Sequence, residues 1–276
     1  MIYFPNCKIN IGLNIIEKRQ DGYHNIETLF YPISLSDILE IRPKDDGKTC
    51  LTISGLPIET KSIDDNLCIK AYNLLKKDFP NIPEVKIHLH KAIPMGAGLG
   101  GGSSDASYTL KLLNYLFSLN LTDKNLDNYA RCLGSDCAFF IYNIPIYDFN
   151  KGDNFAPTTL SLKGKTILLI KPDIFISTSE AYSNILPRKE DINLLNIIEE
   201  LPIREWKHFI KNDFEASIFP KHIEFQRIKD KLYDIGAMYA QMSGSGSTIY
   251  GLFDKELSED EIKLFDYPFV CQKTLQ

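Results

Sequence analysis

Apolar and polar positions change period several times along the chain, and each change marks an element. Cys7 to Ile16 is rich in β-formers, Asp21-Gly22 offers a turn, and Ile26 to Ile33 runs apolar again. This predicts a hairpin with a loop longer than two residues. Asp37 to Arg42 and Thr49 to Ser54 alternate like further strands. Asp64-Asp65-Asn66 predicts the cap of a helix with apolar positions Leu67, Ala71, Leu74 and Leu75. Val85 to His90 alternates with period two, so His88 and His90 share a face and read as a solvent-facing pair rather than metal ligands. A glycine-dense loop follows. Ala106, Leu110, Leu113 and Phe117 then recur at helical spacing, with Ser103 or Ser104 as the expected cap. Thr122 is expected to cap the next helix (Leu126, Ala130, Leu133) and Gly134 to stop it. The pattern weakens between Tyr147 and Lys163, which predicts a boundary there and domains 1–152 and 153–276. The second half opens with a strand, Thr166 to Ile170. Two or three helices follow, including Ile223 to Ile235 ended by Gly236, and then two short strands flanking Ser243-Gly244-Ser245-Gly246-Ser247. Strands and helices interleave in both halves, which makes the class α+β or α/β.

Composition removes several alternatives. With 44% hydrophobic and 24% charged residues in 276, the chain is globular rather than disordered or fibrous. No apolar run approaches the roughly 18 residues of a membrane span. Met1-Ile2-Tyr3-Phe4-Pro5-Asn6 lacks the pattern of a signal peptide, so a cytoplasmic, reducing location is expected. The six cysteines are scattered with no CxxC pair, against a zinc cage or disulfide framework. Cys132 and Cys137, the closest pair, read as core packing. A net charge of −5 argues against nucleic acid as partner and leaves a small anionic ligand open.

The segment with the most chemical content is Pro94-Met95-Gly96-Ala97-Gly98-Leu99-Gly100-Gly101-Gly102-Ser103-Ser104. Its glycines cost conformational entropy. Between a strand and a helix, such a loop lets backbone N–H groups converge on a diphosphate or triphosphate beside the positive helix end. Gly96, Gly98 and Gly101 also satisfy G-x-G-x-x-G, but the acidic residue that a dinucleotide fold places about 20 residues on would be Asp123, which follows a helix and a turn. No G-K-[ST], H-R-D or D-F-G accompanies the loop, which excludes Walker A and protein-kinase readings.

Two further segments carry polar residues in apolar surroundings. Lys8 and Asn10 share one face of the first long strand. Asp136, in Gly134-Ser135-Asp136, stands before the apolar run Cys137-Ala138-Phe139-Phe140, where a carboxylate needs a partner such as a lysine. By itself Asp136 could equally be a helix-end turn residue.

Together these segments resemble the GHMP kinase superfamily: Pro-x-x-Lys-x-Asn-x-x-Leu at Pro5 to Leu13, Pro-x-x-x-Gly-Leu-Gly-x-x-x-Ser at Pro94 to Ser104, and a glycine-serine loop at Ser243 to Thr248. Asp21-Gly22-Tyr23-His24, Glu27-Thr28-Leu29-Phe30, Gly-Leu-Gly-Gly-Gly-Ser-Ser and Gly134-Ser135-Asp136 are most similar to the branch acting on a cytidine diphosphate-linked tetritol. Ala97 replaces a glycine common there, a change that leaves the loop N–H groups in place. The second half matches more loosely.

The resemblance implies an α+β fold of two domains, the N-terminal one like domain 2 of ribosomal protein S5 and the C-terminal one ferredoxin-like. It implies ATP-dependent phosphorylation of the 2-hydroxyl of the methylerythritol moiety, in the non-mevalonate route to isoprenoid precursors. Asp136 would be the base and Lys8 would stabilise the attacking oxygen. Pro94, Met95, Gly96, Ala97, Gly98, Leu99, Gly100, Gly101, Gly102, Ser103 and Ser104 would hold ATP, with Asn66 and Lys91 toward the adenine. Asn10, Tyr23, His24 and Tyr182 would bind the substrate, the tyrosines against the faces of the pyrimidine and His24 at its edge. Mg²⁺ is expected with ATP, carried by phosphate oxygens and water, with Ser104 a candidate ligand and no dedicated carboxylate cluster. The expected partners are small molecules, without nucleic acid or membrane, and the expected state is a monomer or weak homodimer. A GHMP kinase for homoserine or mevalonate derivatives, a nicotinamide-dependent oxidoreductase and a non-enzymatic regulator are the alternatives. Lys8 and Asp136 speak against the last.

Overall fold

The computed structural model describes residues 1–276 except 21, 46, 59–61, 151–153, 184 and 189–192, and excluding the side chain of Asn150. Asp21 of the expected turn and the expected boundary at 152/153 lie outside the described residues. In chain order the elements are β1 (Ile2–Tyr3), β2 (Asn6–Lys18), β3 (His24–Ser36), β4 (Ile38–Pro43), β5 (Cys50–Gly55), α1 (Leu67–Asp78), β6 (Val85–Lys91), α2 (Gly101–Leu116), α3 (Asp123–Leu133) and α4 (Cys137–Tyr142). There follow β7 (Ile146–Asn150), β8 (Asn154–Pro157), β9 (Thr166–Lys171), α5 (Thr178–Tyr182), α6 (Leu194–Glu200), α7 (Trp206–Phe209), α8 (Asp213–Ile218), α9 (Ile223–Asp234), β10 (Tyr239–Met242), β11 (Ile249–Phe253), α10 (Glu259–Lys263) and β12 (Phe269–Thr274). Among the described residues no helix is long and apolar enough to cross a membrane.

Two compact units emerge, and neither is a continuous stretch of chain. The first comprises Met1–Cys7, Leu35–Met95 and Gly100–Ile144; the second comprises Lys8–Ser34, Gly96–Leu99 and Pro145–Gln276.

The first unit is built on the sheet β1-β4-β6-β5, antiparallel except for the parallel β5/β6 pair. The alternation of β6 sends Val85, Ile87 and Leu89 into a core shared with Leu39, Ile41, Leu51 and residues of α1, α2, α3 and α4. His88 and His90 point the other way and are half-buried. His88 bonds Thr52 Oγ1 (2.8 Å) and Ser54 Oγ (3.1 Å), and His90 Nδ1 bonds Ser54 Oγ (2.9 Å), so the face reads as a hydroxyl–imidazole ladder along β5. Asn66 caps α1, as its position predicts, through Oδ1 to the Cys68 N–H (2.9 Å). Thr122 and Asn125 form a capping box on α3, which Gly134 ends. Cys137 is core, whereas Cys132 is exposed; it falls outside the apolar stripe of its helix, so the packing role expected for it does not hold.

The second unit carries the sheet order β10-β11-β9-β12 and the order β2-β3-β7-β8. β9 lies between β11 and β12 and is buried along most of its length, which explains its unbroken apolar run. Leu168 and Ile170 pack with Phe214, Ile218, Phe225, Ile228 and Leu232 from α8 and α9. Gly236, at φ +94°, ends α9 as expected. Between β9 and β10 the described residues form α5 to α9 rather than two or three helices, because α5 to α8 are seven residues or fewer and show no clear period; α4, β7, β8 and β12, each six residues or fewer, are missed for the same reason.

Candidate active site

In the first unit the glycine loop becomes α2 at Gly100, which takes φ +70° as N-cap; neither Ser103 nor Ser104 caps the helix, as both already lie within it. A glycine cap has no side chain to offer, so the first-turn N–H groups stay available to an anion at the positive end of a 16-residue helix. Ser104 is fully buried and its Oγ has no hydrogen-bond partner. A buried orphan hydroxyl in the first turn is a feature a ligand oxygen or cation would resolve. Gly101 has helical backbone; what requires glycine there is contact, because a Cβ would lie 2.9 Å from Ile93 Cγ2.

Beneath this turn sits a buried ion cluster. Lys91 Nζ pairs with Asp37 and with Asp105 (2.7 Å), and Asp37 Oδ1 also accepts the N–H groups of Ala92 (2.6 Å) and Ile93 (2.8 Å). Burial pulls the Lys91 ammonium toward neutrality, and the two carboxylates outweigh it, so its pKa stands above the ordinary value. Burial pushes Asp105 up to about 7, against the pull of Lys91 and with help from the Asp37 charge. A contact between the Lys91 ammonium and adenine would require both ion pairs to be given up. The geometry makes Lys91 a support for the strand-to-loop junction instead. Asn66 has its Oδ1 engaged at α1. Asp136 is half-buried at the N-terminal end of α4. Burial raises the neighbouring Cys137 thiol to about 12, which excludes it as a thiolate at neutral pH.

In the second unit Lys8 is buried. Its ammonium donates to Asn10 Oδ1 (2.6 Å) and to the Gly98 carbonyl (3.1 Å) and lies 5.0 Å from the centre of the Phe30 ring. Strand alternation brings Lys8 and Asn10 together, as their spacing predicts. Asn10 is fixed in turn: its Nδ2 donates to Thr28 Oγ1 (3.0 Å), its N–H to Ser243 Oγ (3.2 Å), and its carbonyl accepts from Tyr250 (2.9 Å). Ser243 Oγ donates to the same Gly98 carbonyl (2.8 Å). Gly98, at φ +73°, would place a Cβ 1.9 Å from the Ser243 carbonyl oxygen, so no side chain fits. The Thr248 N–H donates to the Ala97 carbonyl (3.2 Å), completing the seam between Gly96–Leu99 and the glycine-serine loop.

Three aromatic candidates are also in this unit. His24 stacks on Tyr182 with centroids 4.6 Å apart and planes 22° from parallel, and Tyr182 meets Phe214 edge-on. Tyr23 is 60% exposed. His24 therefore faces the Tyr182 ring. Burial and then the Lys18 charge hold His24 below its ordinary 6.5, which keeps one imidazole nitrogen a donor and the other an acceptor at neutral pH. Ser243 and Thr28 were missed as individual residues. A glycine-serine loop points to flexibility or to anion binding, and nothing in local spacing says that one of its hydroxyls serves a carbonyl 145 residues away.

Comparison with known proteins agrees with this arrangement. The profile described as "GHMP kinases N terminal domain" matches residues 66–143, and "GHMP kinases C terminal" matches 197–265. A 4-diphosphocytidyl-2-C-methyl-D-erythritol kinase from Bacteroides thetaiotaomicron is 54% identical over 93% of both chains. One from Parabacteroides distasonis is 50% identical over the full length of both. A crystal structure of 4-(cytidine 5'-diphospho)-2C-methyl-D-erythritol kinase superposes with a TM-score of 0.77 at 28% identity, covering 96% of this chain and 93% of that one. The chain belongs to the GHMP kinase family, with the 4-diphosphocytidyl-2-C-methyl-D-erythritol kinases as its near relatives.

Proposed function

We propose that this chain catalyses the reaction its relatives are named for, transfer of the ATP γ-phosphoryl group to the 2-hydroxyl of 4-diphosphocytidyl-2-C-methyl-D-erythritol. The observation that carries the reading is identity of 50–54% over more than nine-tenths of the chain, joined to the buried Lys8 held against the Gly98 carbonyl. Phosphoryl transfer needs positioning and charge stabilisation more than covalent help from the protein. In the mechanism we infer, Asp136 takes the proton of the attacking hydroxyl. The Lys8 ammonium stabilises negative charge on that oxygen. The N–H groups of Gly96 to Ser103 hold the phosphates beside Ser104, and Asn66 lies toward the adenine. Tyr23, His24 and Tyr182 hold the cytosine. The grouping of His24 with Tyr182 supports this.

Mg²⁺ would neutralise phosphate charge. The described residues include no cluster of three or more His, Cys, Asp or Glu suited to a metal, and the orphan Ser104 hydroxyl fits a single protein ligand to an ion otherwise held by phosphate and water. The reading carries with it a cytoplasmic enzyme acting on small molecules as a monomer or weak homodimer. A coupled assay of ADP release with a panel of alcohols tests it: the cytidine diphosphate-linked tetritol should be turned over, and homoserine and mevalonate should not. Turnover of either of the latter in its place would overturn the substrate assignment.

A further inference from the structure

Asn212 has no assigned part in this chemistry, yet it is 2% exposed and uses its whole amide. Its Oδ1 accepts the Phe214 N–H (3.0 Å) as the cap of α8. Its Nδ2 donates to two carbonyls of the glycine-serine segment, Met242 (2.8 Å) and Gly244 (2.7 Å). The preceding residue holds the first long strand, with the Leu13 N–H donating to the Lys211 carbonyl (3.0 Å). Gly244, at φ +55°, sits where a Cβ would meet Asn10 Oδ1 at 3.2 Å and the Gly98 carbonyl oxygen at 3.4 Å. Both of these oxygens accept from the Lys8 ammonium.

We infer that Asn212 is a positioning residue for Lys8. It fixes Gly244 through two donated bonds, and Gly244 buttresses the amide and the carbonyl that aim the ammonium. Two carbonyl oxygens side by side repel each other, and an amide NH₂ has the two donors needed to hold both. Aspartate has the shape but no donor, and serine keeps the helix cap but cannot span both oxygens. The inference rests on the proposed role of Lys8, so the test must separate the two.

The test is a kinetic cycle of Asn212→Ser, Lys8→Met and the double variant in the intact chain. In Asn212→Ser, kcat should fall about 10- to 100-fold, as expected for a catalytic group displaced by a fraction of an ångström to an ångström, with KM for ATP within about twofold. In the Lys8→Met background the same substitution should change kcat by less than about threefold, because its target is gone. Gly244→Ala, which leaves the Asn212 bonds in place and crowds the same two acceptors, should reproduce the loss of kcat even if Asn212→Ser folds poorly. An undiminished effect of Asn212→Ser in the Lys8→Met background, or Gly244→Ala with parental kcat, overturns the inference. Parental kcat in Lys8→Met alone overturns the proposed role of Lys8 instead.

Discussion

Lys8 and Lys91 are both buried lysines, one in each compact unit, and within those units different groups hold them. Lys91 is compensated by the charges of Asp37 and Asp105. Lys8, in its own unit, donates to an amide and a carbonyl and faces an aromatic ring. An ammonium between two fixed carboxylates is electrostatically settled, and removing it leaves uncompensated buried charge. Burial alone therefore does not assign a lysine its role: Lys91 is tied to two carboxylates, whereas Lys8 is proposed to act on the reacting oxygen.

The comparison breaks most easily at its catalytic end. Asp136→Asn should lower kcat by about 10²- to 10⁴-fold while calorimetry still detects ATP binding. Lys8→Met should lower kcat by about 10²- to 10³-fold, more than it raises KM for ATP. If Lys8→Met loses only thermal stability, the two lysines are alike and the contrast fails. Lys91→Met should do the reverse. Stranding two buried carboxylates should cost about 3–5 kcal/mol in denaturant unfolding, with kcat per folded molecule nearly unchanged.

Two smaller effects sharpen the contrast. Tyr23→Ala should lower kcat/KM for the cytidine substrate by about 5- to 150-fold, one lost stacking contact, and leave ATP affinity alone. An unchanged KM in both Tyr23→Ala and His24→Ala would remove the nucleobase from this region. The smallest effect is a pH slope. Asp105 titrates near 7 when folded against an ordinary 3.8, so the folded state binds more protons between these values. That part of stability is present at acid pH and lost as pH rises toward 7. Asp105→Asn removes the titration, so its unfolding midpoint relative to the parent should move in the variant's favour between about pH 5 and pH 8. A difference independent of pH would mean that Asp105 is ionised throughout.

Most of the long elements were legible, because alternation in β6 and helical spacing in α2 and α3 are imposed by one continuous core. The short ones were not. α4 and β12 are six residues each, too short to show a period. The shared placement of Lys8 and Asn10 followed from a spacing of two. The fate of Lys91 did not, since its partners Asp37 and Asp105 are 54 and 14 residues away and only folding brings them together. For the same reason Ser103 and Ser104 passed as caps. Sequence offers serine as the better N-cap, while the backbone puts a left-handed Gly100 there and carries both serines inside the helix.

The interleaving of the two units along the chain has a consequence in time. The last residue of the first unit is Ile144, so during synthesis that unit has all its sequence once little more than half of the polypeptide exists. The second unit opens at Lys8, among the first residues made, and closes only at Gln276. Domains form as their residues emerge from the ribosome. Lys8 to Ser34, with the lysine proposed for catalysis, must therefore wait for β9 to β12. A ribosome stalled far enough past residue 144 for Ile144 to have emerged, but before β10 has, should display a protease-resistant first unit while this early stretch is still being cut.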